Sequence, residues 1–172
     1  LTIKKVCVNP RRIGFYNLLK KHGAKIRILN KKKQNNEFVG DIYVRSSSLK
    51  PIKSKPEDYL TATDEYPIMF VIAALTNGIS KFNGIAELAN KESNRIIEMK
   101  KILKMVGIKS QSTKDSLTIF GRKNIRQKNN IIKINSKNDH RIAMSSAVLS
   151  LITGNKFLIR GFETVNTSSP SF

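Results

Sequence analysis

Two segments of the chain are apolar on nearly every side of a helix. The first covers residues 64–76, accommodates Pro67 in its first turn and ends at Gly78. The second covers residues 142–152 and ends at Gly154. A helix without a polar face has to be buried. The pattern therefore predicts two core helices.

Strands and an amphipathic helix follow the first core helix. Alternation of apolar and polar residues over 79–85 predicts a strand. The next helix ends at Gly107, and one apolar face marks it: Ile96, Met99, Leu103 and Val106. Two more strands are predicted around Ile108 and over residues 117–120. The predicted order is helix, strand, helix, strand, strand.

This order recurs in part, which indicates an internal repeat of long period. A strand at residues 156–160 follows the second core helix. Residues 1–8 form another predicted strand, and residues 18–26 echo residues 102–109. We therefore predict an α/β fold of the α+β type, in a single domain over residues 1–172, with one nearly complete repeat and two partial ones.

The partial repeats lack elements that would cover apolar faces, so we expect partial instability unless those elements are supplied.

Two polar segments are predicted to be loops, namely the run Lys31, Lys32, Lys33 and residues 123–130. The pair Ser169 and Pro170 is a helix-start signal, yet no helix can follow it before Phe172.

The net charge of the chain indicates which classes of molecule it could bind. The chain has 32 Lys and Arg against 12 Asp and Glu, a net charge of +20. This favours an anionic partner such as nucleic acid, anionic lipid or a multiply anionic small substrate. The lysines are scattered among many asparagines and isoleucines, a composition that an AT-rich genome also produces. Charge alone does not choose between these readings.

The number of cysteines and the hydropathy of the chain indicate the compartment in which the protein acts. Cys7 is the only cysteine, which excludes an intrachain disulfide and a Cys-based zinc site and fits the cytoplasm. No apolar stretch approaches the roughly 20 residues that span a bilayer, so we expect no membrane partner. No signal peptide follows Leu1, and we expect the chain to be part of a longer protein.

Three polar clusters carry the candidate chemistry: Asp64-Glu65-Tyr66-Pro67, Lys91-Glu92-Ser93-Asn94-Arg95 and Asp139-His140-Arg141. Placed on a helix, Lys91, Glu92 and Arg95 share one surface beside its N-terminus, because they are spaced by three and four residues. Such a surface suits an anion with an acid beside it. Each cluster alone also fits an ordinary N-cap or a solvated helix face.

Five segments in this order resemble the enolpyruvyl transferases, in the form often called class II. They are Val-Asn-Pro-Arg-Arg-Ile-Gly at 8–14, Gly-Asp-Ile-Tyr-Val-Arg-Ser-Ser-Ser-Leu-Lys at 40–50, Asp-Glu-Tyr-Pro-Ile at 64–68, Lys-Glu-Ser-Asn-Arg at 91–95 and Asp-His-Arg-Ile-Ala-Met at 139–144. The resemblance implies two domains, each of three βαβαββ units, with the active site between them. By that resemblance this chain is most of the C-terminal domain, and the N-terminal domain and last helix are absent from it.

The resemblance also implies a reaction. The enolpyruvyl group of phosphoenolpyruvate passes to the 5-hydroxyl of shikimate 3-phosphate, and phosphate is released. No metal or organic cofactor is implied, and the complete protein is expected to be a monomer. Glu92 resembles the proton donor of the family, and Asp64 resembles the proton acceptor that also holds the acceptor's hydroxyl. An acid and a base are both required, because one carbon gains a proton and one hydroxyl loses one.

The remaining matched residues resemble substrate-binding groups. Arg95 and Arg141 suit the carboxylate and phosphate of phosphoenolpyruvate, because a guanidinium pairs with either in bidentate fashion. Lys91 suits a bridging position between the two substrates. His140 resembles a substrate-binding residue, and with Asp139 it is a candidate for orienting Arg141 or for proton transfer.

The sequence departs from the family pattern at several places. Asn94 stands where an aspartate is usual, Ala89 where an arginine is usual, and Ser169 where a phenylalanine is common. A cell-wall-type transferase acting on UDP-N-acetylglucosamine is the alternative within the same fold. A basic nucleic-acid-binding module is the alternative outside it, but no helix-turn-helix, zinc-finger or aromatic RNA-binding signature is present. We therefore expect no specific nucleic-acid partner.

Overall fold

The first part of the chain forms a three-stranded antiparallel sheet with one helix. The computed structural model describes residues 1–125, 127 and 129–172. The sheet has the order β1-β3-β2. Its elements are β1 (Thr2–Cys7), α1 (Gly14–Lys21), β2 (Lys25–Gln34) and β3 (Glu37–Arg45). The strand predicted at 1–8 and the helix and strand predicted around 18–26 are confirmed.

The prediction that Lys31, Lys32 and Lys33 form a loop is wrong, because all three lie in β2. Asn35 and Asn36 have φ angles of 47° and 64°, the left-handed geometry of a tight hairpin turn. That turn folds β3 back onto β2, so that Lys32 pairs with Val39 and Lys33 with Phe38, while Lys31 lies in a bulge of the strand. Strand pairing therefore overrides the polar composition of the run.

The middle of the chain forms a complete βαβαββ unit. Its sheet has the order β4-β5-β7-β6, with β4 and β5 parallel and the other pairs antiparallel. The elements are β4 (Lys53–Ser54), α2 (Pro56–Tyr59), α3 (Tyr66–Ala74), β5 (Gly78–Asn83), α4 (Arg95–Met105), β6 (Lys109–Ser112) and β7 (Ser116–Gly121). The first core helix, the amphipathic helix and the three predicted strands are thus confirmed.

The last part of the chain repeats the beginning of the middle unit. Strands β8 (Ile132–Asn135) and β9 (Phe157–Arg160) are parallel, as β4 and β5 are, and α5 (His140–Thr153) connects them. Gly154 ends α5 with a φ of 67°. In the segment predicted as a loop, 123–130, positions 126 and 128 lie outside the described residues, and the others form neither helix nor strand.

The pattern of one complete and two partial repeats is therefore confirmed. Apolar side chains remain uncovered in the last unit, where Leu151 is 81% exposed and Leu158 is 58% exposed. Partial instability of the isolated chain stays a prediction.

Helix α3 forms the centre of the core. Tyr66, Phe70 and Phe82 make edge-on ring contacts, with 4.9 Å between the ring centroids of the two phenylalanines. The Tyr66 hydroxyl is 2.7 Å from Ser54 Oγ, and burial raises its pKa to about 12. Helix α3 packs against both α4 and α5. This packing brings the three polar clusters together, because each cluster lies at the N-terminal end of one of these helices.

Candidate active site

Helix α4 begins at Arg95, four residues later than the sequence analysis placed it. Asn94 is its N-cap, and the Asn94 side chain accepts a hydrogen bond of 3.1 Å from the Ile97 N–H. Lys91 and Glu92 therefore precede the helix, and the prediction that they share a helical surface with Arg95 is wrong. The Asn at position 94 explains the late start, because its short side chain reaches the free N–H groups of the first turn.

The guanidinium of Arg95 is the centre of the site. The residue is only 1% exposed, yet three carboxylates surround it. Its Nε is 2.9 Å from Asp139 Oδ2, its NH2 donates to Glu92, and its NH1 is 3.6 Å from Asp64 Oδ1. The NH1 atom is buried and makes no hydrogen bond within the described part of the chain.

Asp139 is the buried partner of this cation, with a side chain that is 0% exposed. It is also the N-cap of α5, because it accepts from the backbone N–H groups of Arg141 and Ile142. Burial alone raises the pKa of Asp139, but the hydrogen bonds and charge of Arg95 bring that pKa below its ordinary value. The carboxylate contacts the guanidinium of Arg95 and only the backbone of Arg141.

Asp64 lies in a short 3-10 helix, Thr63–Glu65, just before α3. Its carboxylate is 3.0 Å from Arg141 NH2, and its backbone carbonyl accepts a hydrogen bond of 3.2 Å from Arg141 NH1. This two-point contact orients Arg141, while the Asp64 side chain stays 43% exposed. Asp64 is thus an accessible carboxylate held between two guanidinium groups.

The other predicted site residues surround this centre. The Glu92 side chain is 49% exposed, so a substrate can reach it. Lys91 and His140 are half-buried. Neither the Lys91 ammonium nor the His140 ring makes an ion pair or hydrogen bond with the part of the chain that the structure describes. Both are therefore available to a ligand, and the structure brings all six predicted residues to one end of the helix layer.

Glu65 was not among the site residues predicted from the sequence. Glu65, Asp64 and Arg141 line a cavity of about 200 Å³, and the rest of its lining is Ser145 and apolar side chains, among them Phe172. Burial raises the pKa of the Glu65 carboxyl above its ordinary value. The only signal for this residue in the sequence is its place in the motif at 64–68.

Every cation of the candidate site is matched by a carboxyl group. Three cations, Lys91, Arg95 and Arg141, stand beside Asp64, Glu92 and Asp139, and Glu65 adds a fourth carboxyl group. In the part of the chain that is described, no group of three or more His, Cys, Asp or Glu side chains could hold a metal ion. Nor does any described helix have the length and apolar character needed to cross a membrane. The arrangement offers two half-exposed carboxylates beside two guanidinium groups, which suits proton transfer on an anionic substrate.

Known sequences match over the whole chain. The family model described as EPSP synthase (3-phosphoshikimate 1-carboxyvinyltransferase) matches residues 1–172. The 3-phosphoshikimate 1-carboxyvinyltransferase of Petrotoga mobilis is 42% identical over 172 residues, which is 100% of this chain and 39% of the relative. That of Aquifex aeolicus is 38% identical over 173 residues, again 100% of this chain and 39% of the relative. The chain thus spans about two-fifths of the length of these relatives.

Solved structures agree with the sequence matches. An EPSP synthase from Acinetobacter baumannii superposes with a TM-score of 0.91 at 35% identity, covering 99% of this chain and 39% of that one. The enolpyruvyl transferase NikO from Streptomyces tendae shares the fold at 13% identity, with a TM-score of 0.57 over 90% of this chain and 32% of that one. The resemblance to the enolpyruvyl transferases is confirmed, and the chain belongs to the EPSP synthase family.

Proposed function

We propose that the protein containing this chain transfers the enolpyruvyl group of phosphoenolpyruvate to the 5-hydroxyl of shikimate 3-phosphate and releases phosphate. The proposal rests mainly on one observation: Asp64, Glu92 and Arg141 converge around the buried guanidinium of Arg95. We also propose that the chain forms most of the C-terminal domain of a two-domain enzyme. Family membership over the whole chain supports both proposals.

Two carboxylates perform the proton transfers in this proposal. Glu92 protonates the methylene carbon of phosphoenolpyruvate, which makes the neighbouring carbon electron-poor. The 5-hydroxyl oxygen then bonds to that carbon, and Asp64 takes the hydroxyl proton. The Glu92 carboxylate then takes back a proton from the new methyl group, the bond to the phosphate oxygen breaks, and phosphate leaves with the bonding electrons. Asp64 gives up the hydroxyl proton to the departing phosphate or to water. Half-exposed side chains suit these roles, because each has to reach a reacting atom.

The balance of charge indicates that the chain alone is only part of the binding site. Phosphoenolpyruvate brings a carboxylate and a phosphate, and three carboxylates already neutralise the cations of the described site. Binding such an anion therefore needs further cations. We propose that the N-terminal domain supplies them, and that this chain alone is inactive.

Phosphate release tests the proposal. The full reading frame that contains this chain is incubated with phosphoenolpyruvate and, separately, with shikimate 3-phosphate or UDP-N-acetylglucosamine. We expect release only with shikimate 3-phosphate. Release only with the UDP-sugar would assign the cell-wall-type reaction instead, and no release from a folded protein would overturn both.

Substitution of the two carboxylates tests their roles. Asp64→Asn and Glu92→Gln should each lower kcat at least about a hundredfold, as the loss of a positioned acid or base does. Asp58→Asn is the matched control, because Asp58 loses the same charge but only accepts a hydrogen bond from the Lys55 N–H. Near-normal turnover in either site variant would remove that residue from the mechanism.

We also propose that the complete protein acts in the cytoplasm as a monomer. The exposed, unpaired Cys7 thiol supports a reducing compartment.

A further inference from the structure

The carboxylate of Asp139 connects two of the polar clusters. Its Oδ2 accepts hydrogen bonds of 2.9 Å from Ser93 Oγ and 2.9 Å from Arg95 Nε. Its Oδ1 accepts from Arg95 NH2 at 3.4 Å and from the backbone N–H groups of Arg141 and Ile142 at 2.9 Å and 3.4 Å. Residues 93 and 95 are thereby fastened to the first turn of α5.

These contacts leave Asp139 no direct part in the chemistry. A carboxylate has about four lone-pair sites, and the five donors use all of them. The side chain is also fully buried. Asp139 can therefore affect a reaction only through the groups that it holds.

Arg95 is the group whose orientation depends most on Asp139. The carboxylate takes the edge of the guanidinium formed by Nε and NH2. The planar guanidinium cannot turn while that edge is held, so NH1 stays on the side of Asp64. NH1 is also the guanidinium nitrogen that has no hydrogen bond within the described residues. Holding one edge thus presents the opposite nitrogen to the half-exposed carboxylate at the site.

We propose that Asp139 is a positioning residue that acts through Arg95, fixing the guanidinium so that NH1 faces the Asp64 side of the site, from which its charge attracts the anionic part of phosphoenolpyruvate. This inference rests on the proposed function. It predicts that loss of the Asp139 charge weakens the use of phosphoenolpyruvate and leaves shikimate 3-phosphate nearly unaffected.

Asp139→Asn in the full reading frame isolates the charge. Asparagine caps helices about as well as aspartate and has nearly the same shape, so α5 keeps its N-cap. We expect the KM for phosphoenolpyruvate to rise at least about tenfold, as the loss of one partner of a buried charged pair does. The KM for shikimate 3-phosphate should change less than about threefold, within the range of substitutions away from the contact. Asp58→Asn, which loses the same charge at the N-terminus of α2, should leave both constants unchanged.

A double-mutant cycle separates positioning from a general structural effect. Lysine at position 95 cannot make the two-point contact, so Asp139→Asn should change KM little in an Arg95→Lys background. Independent effects that multiply would overturn the proposal. Equal rises of both KM values in Asp139→Asn would also overturn it, because they indicate a disturbed fold.

If the wild-type protein releases no phosphate, the binding of phosphoenolpyruvate to wild type and to Asp139→Asn is measured by titration calorimetry instead. The absence of phosphate release would overturn the proposed reaction but not yet the role of Asp139. A weaker Kd in Asp139→Asn than in wild type would then support the role. Equal Kd values, or no binding by either protein, would overturn it.

Discussion

Replacing Arg95 by methionine should lower the free energy of unfolding by about 3–5 kcal/mol at neutral pH, because the change leaves the buried Asp139 carboxylate without its counter-charge. The other two pairs of Arg95 contribute less. Glu92 and Asp64 are nearly half exposed, and exposed pairs are worth about 0–1 kcal/mol each. Methionine is a suitable replacement, since its unbranched side chain fills the space of the arginine stem.

The pH dependence of this loss follows from the lowered pKa of Asp139. A carboxyl whose pKa is lower in the folded than in the unfolded protein contributes its full stabilisation above the unfolded pKa. That stabilisation disappears as the pH falls through the folded pKa. Without Arg95, burial raises the pKa of Asp139, so the variant's carboxyl is protonated already above the ordinary value for aspartate, about pH 4. The difference between wild type and Arg95→Met should therefore shrink as the pH falls from neutral, and go on shrinking below about pH 4.

Urea denaturation of the full reading frame, followed by circular dichroism, measures the effect. With an unchanged m-value, a shift of the midpoint reports the change in free energy. The double variant Arg95→Met/Asp139→Asn is the control, because it removes the unpaired charge and should recover most of the loss. A loss below about 1 kcal/mol in the single variant, or a double variant no more stable than the single one, would refute this account of the pair.

Three further outcomes are expected. Burial raises the pKa of Glu65, so ionisation of this carboxyl opposes folding. Glu65→Gln should therefore raise the melting temperature at neutral pH but not below about pH 4, where the carboxyl is protonated in the unfolded protein as well. An equal gain in melting temperature at both pH values would contradict this explanation. A Cβ on Gly121 would lie 2.0 Å from the Ala73 carbonyl oxygen, so Gly121→Ala should cost about 1–3 kcal/mol in urea denaturation, whereas an unchanged midpoint would show that β7 moves away freely. Tyr66→Phe leaves the buried Ser54 hydroxyl without its 2.7 Å partner and should cost about 1–2 kcal/mol, with Tyr66→Phe/Ser54→Ala recovering part of it.

Elements with a clear period could be predicted from the sequence. The apolar residues of α3 and α5 exclude any exposed face, and glycines mark the ends of both segments. Strand β8 also alternates, with Ile132 and Ile134 buried, and was within reach of the same reasoning. Strand β4 was not, because its two residues are extended only through parallel pairing with β5.

Long-range contacts could not be predicted. His22 stands at the end of α1, just before Gly23, where a polar residue is common and needs no distant partner. In the structure it is buried, and its ring nitrogens bond the Leu18 carbonyl at 2.8 Å and the Lys53 N–H at 2.9 Å. The ring thereby joins the first unit to the second. Nothing in the local sequence indicates that the partner N–H lies 31 residues away.

The candidate site was also predictable only in part. Its residues were found from their motifs. The burial of Arg95 and its hydrogen bond to Asp139, 44 residues away, depend on how α4 and α5 pack and could not be predicted. The predicted helical surface at 91–95 failed for a local reason. Asn94 both continues the polar run and caps the helix, and a helix pattern does not distinguish these roles.

The repeat explains how one fold position serves two purposes. Asp64 and Asp139 each lead the buried helix of their unit, so the repeat places them at equivalent points. Asp139 caps its helix and is fully enclosed, whereas the 3-10 turn before α3 leaves Asp64 outside the cap and half exposed. The enclosed copy is committed to holding Arg95 and the helix end. The open copy faces the same guanidinium from the solvent side, and this exposure supports the proposed proton exchange between Asp64 and a substrate.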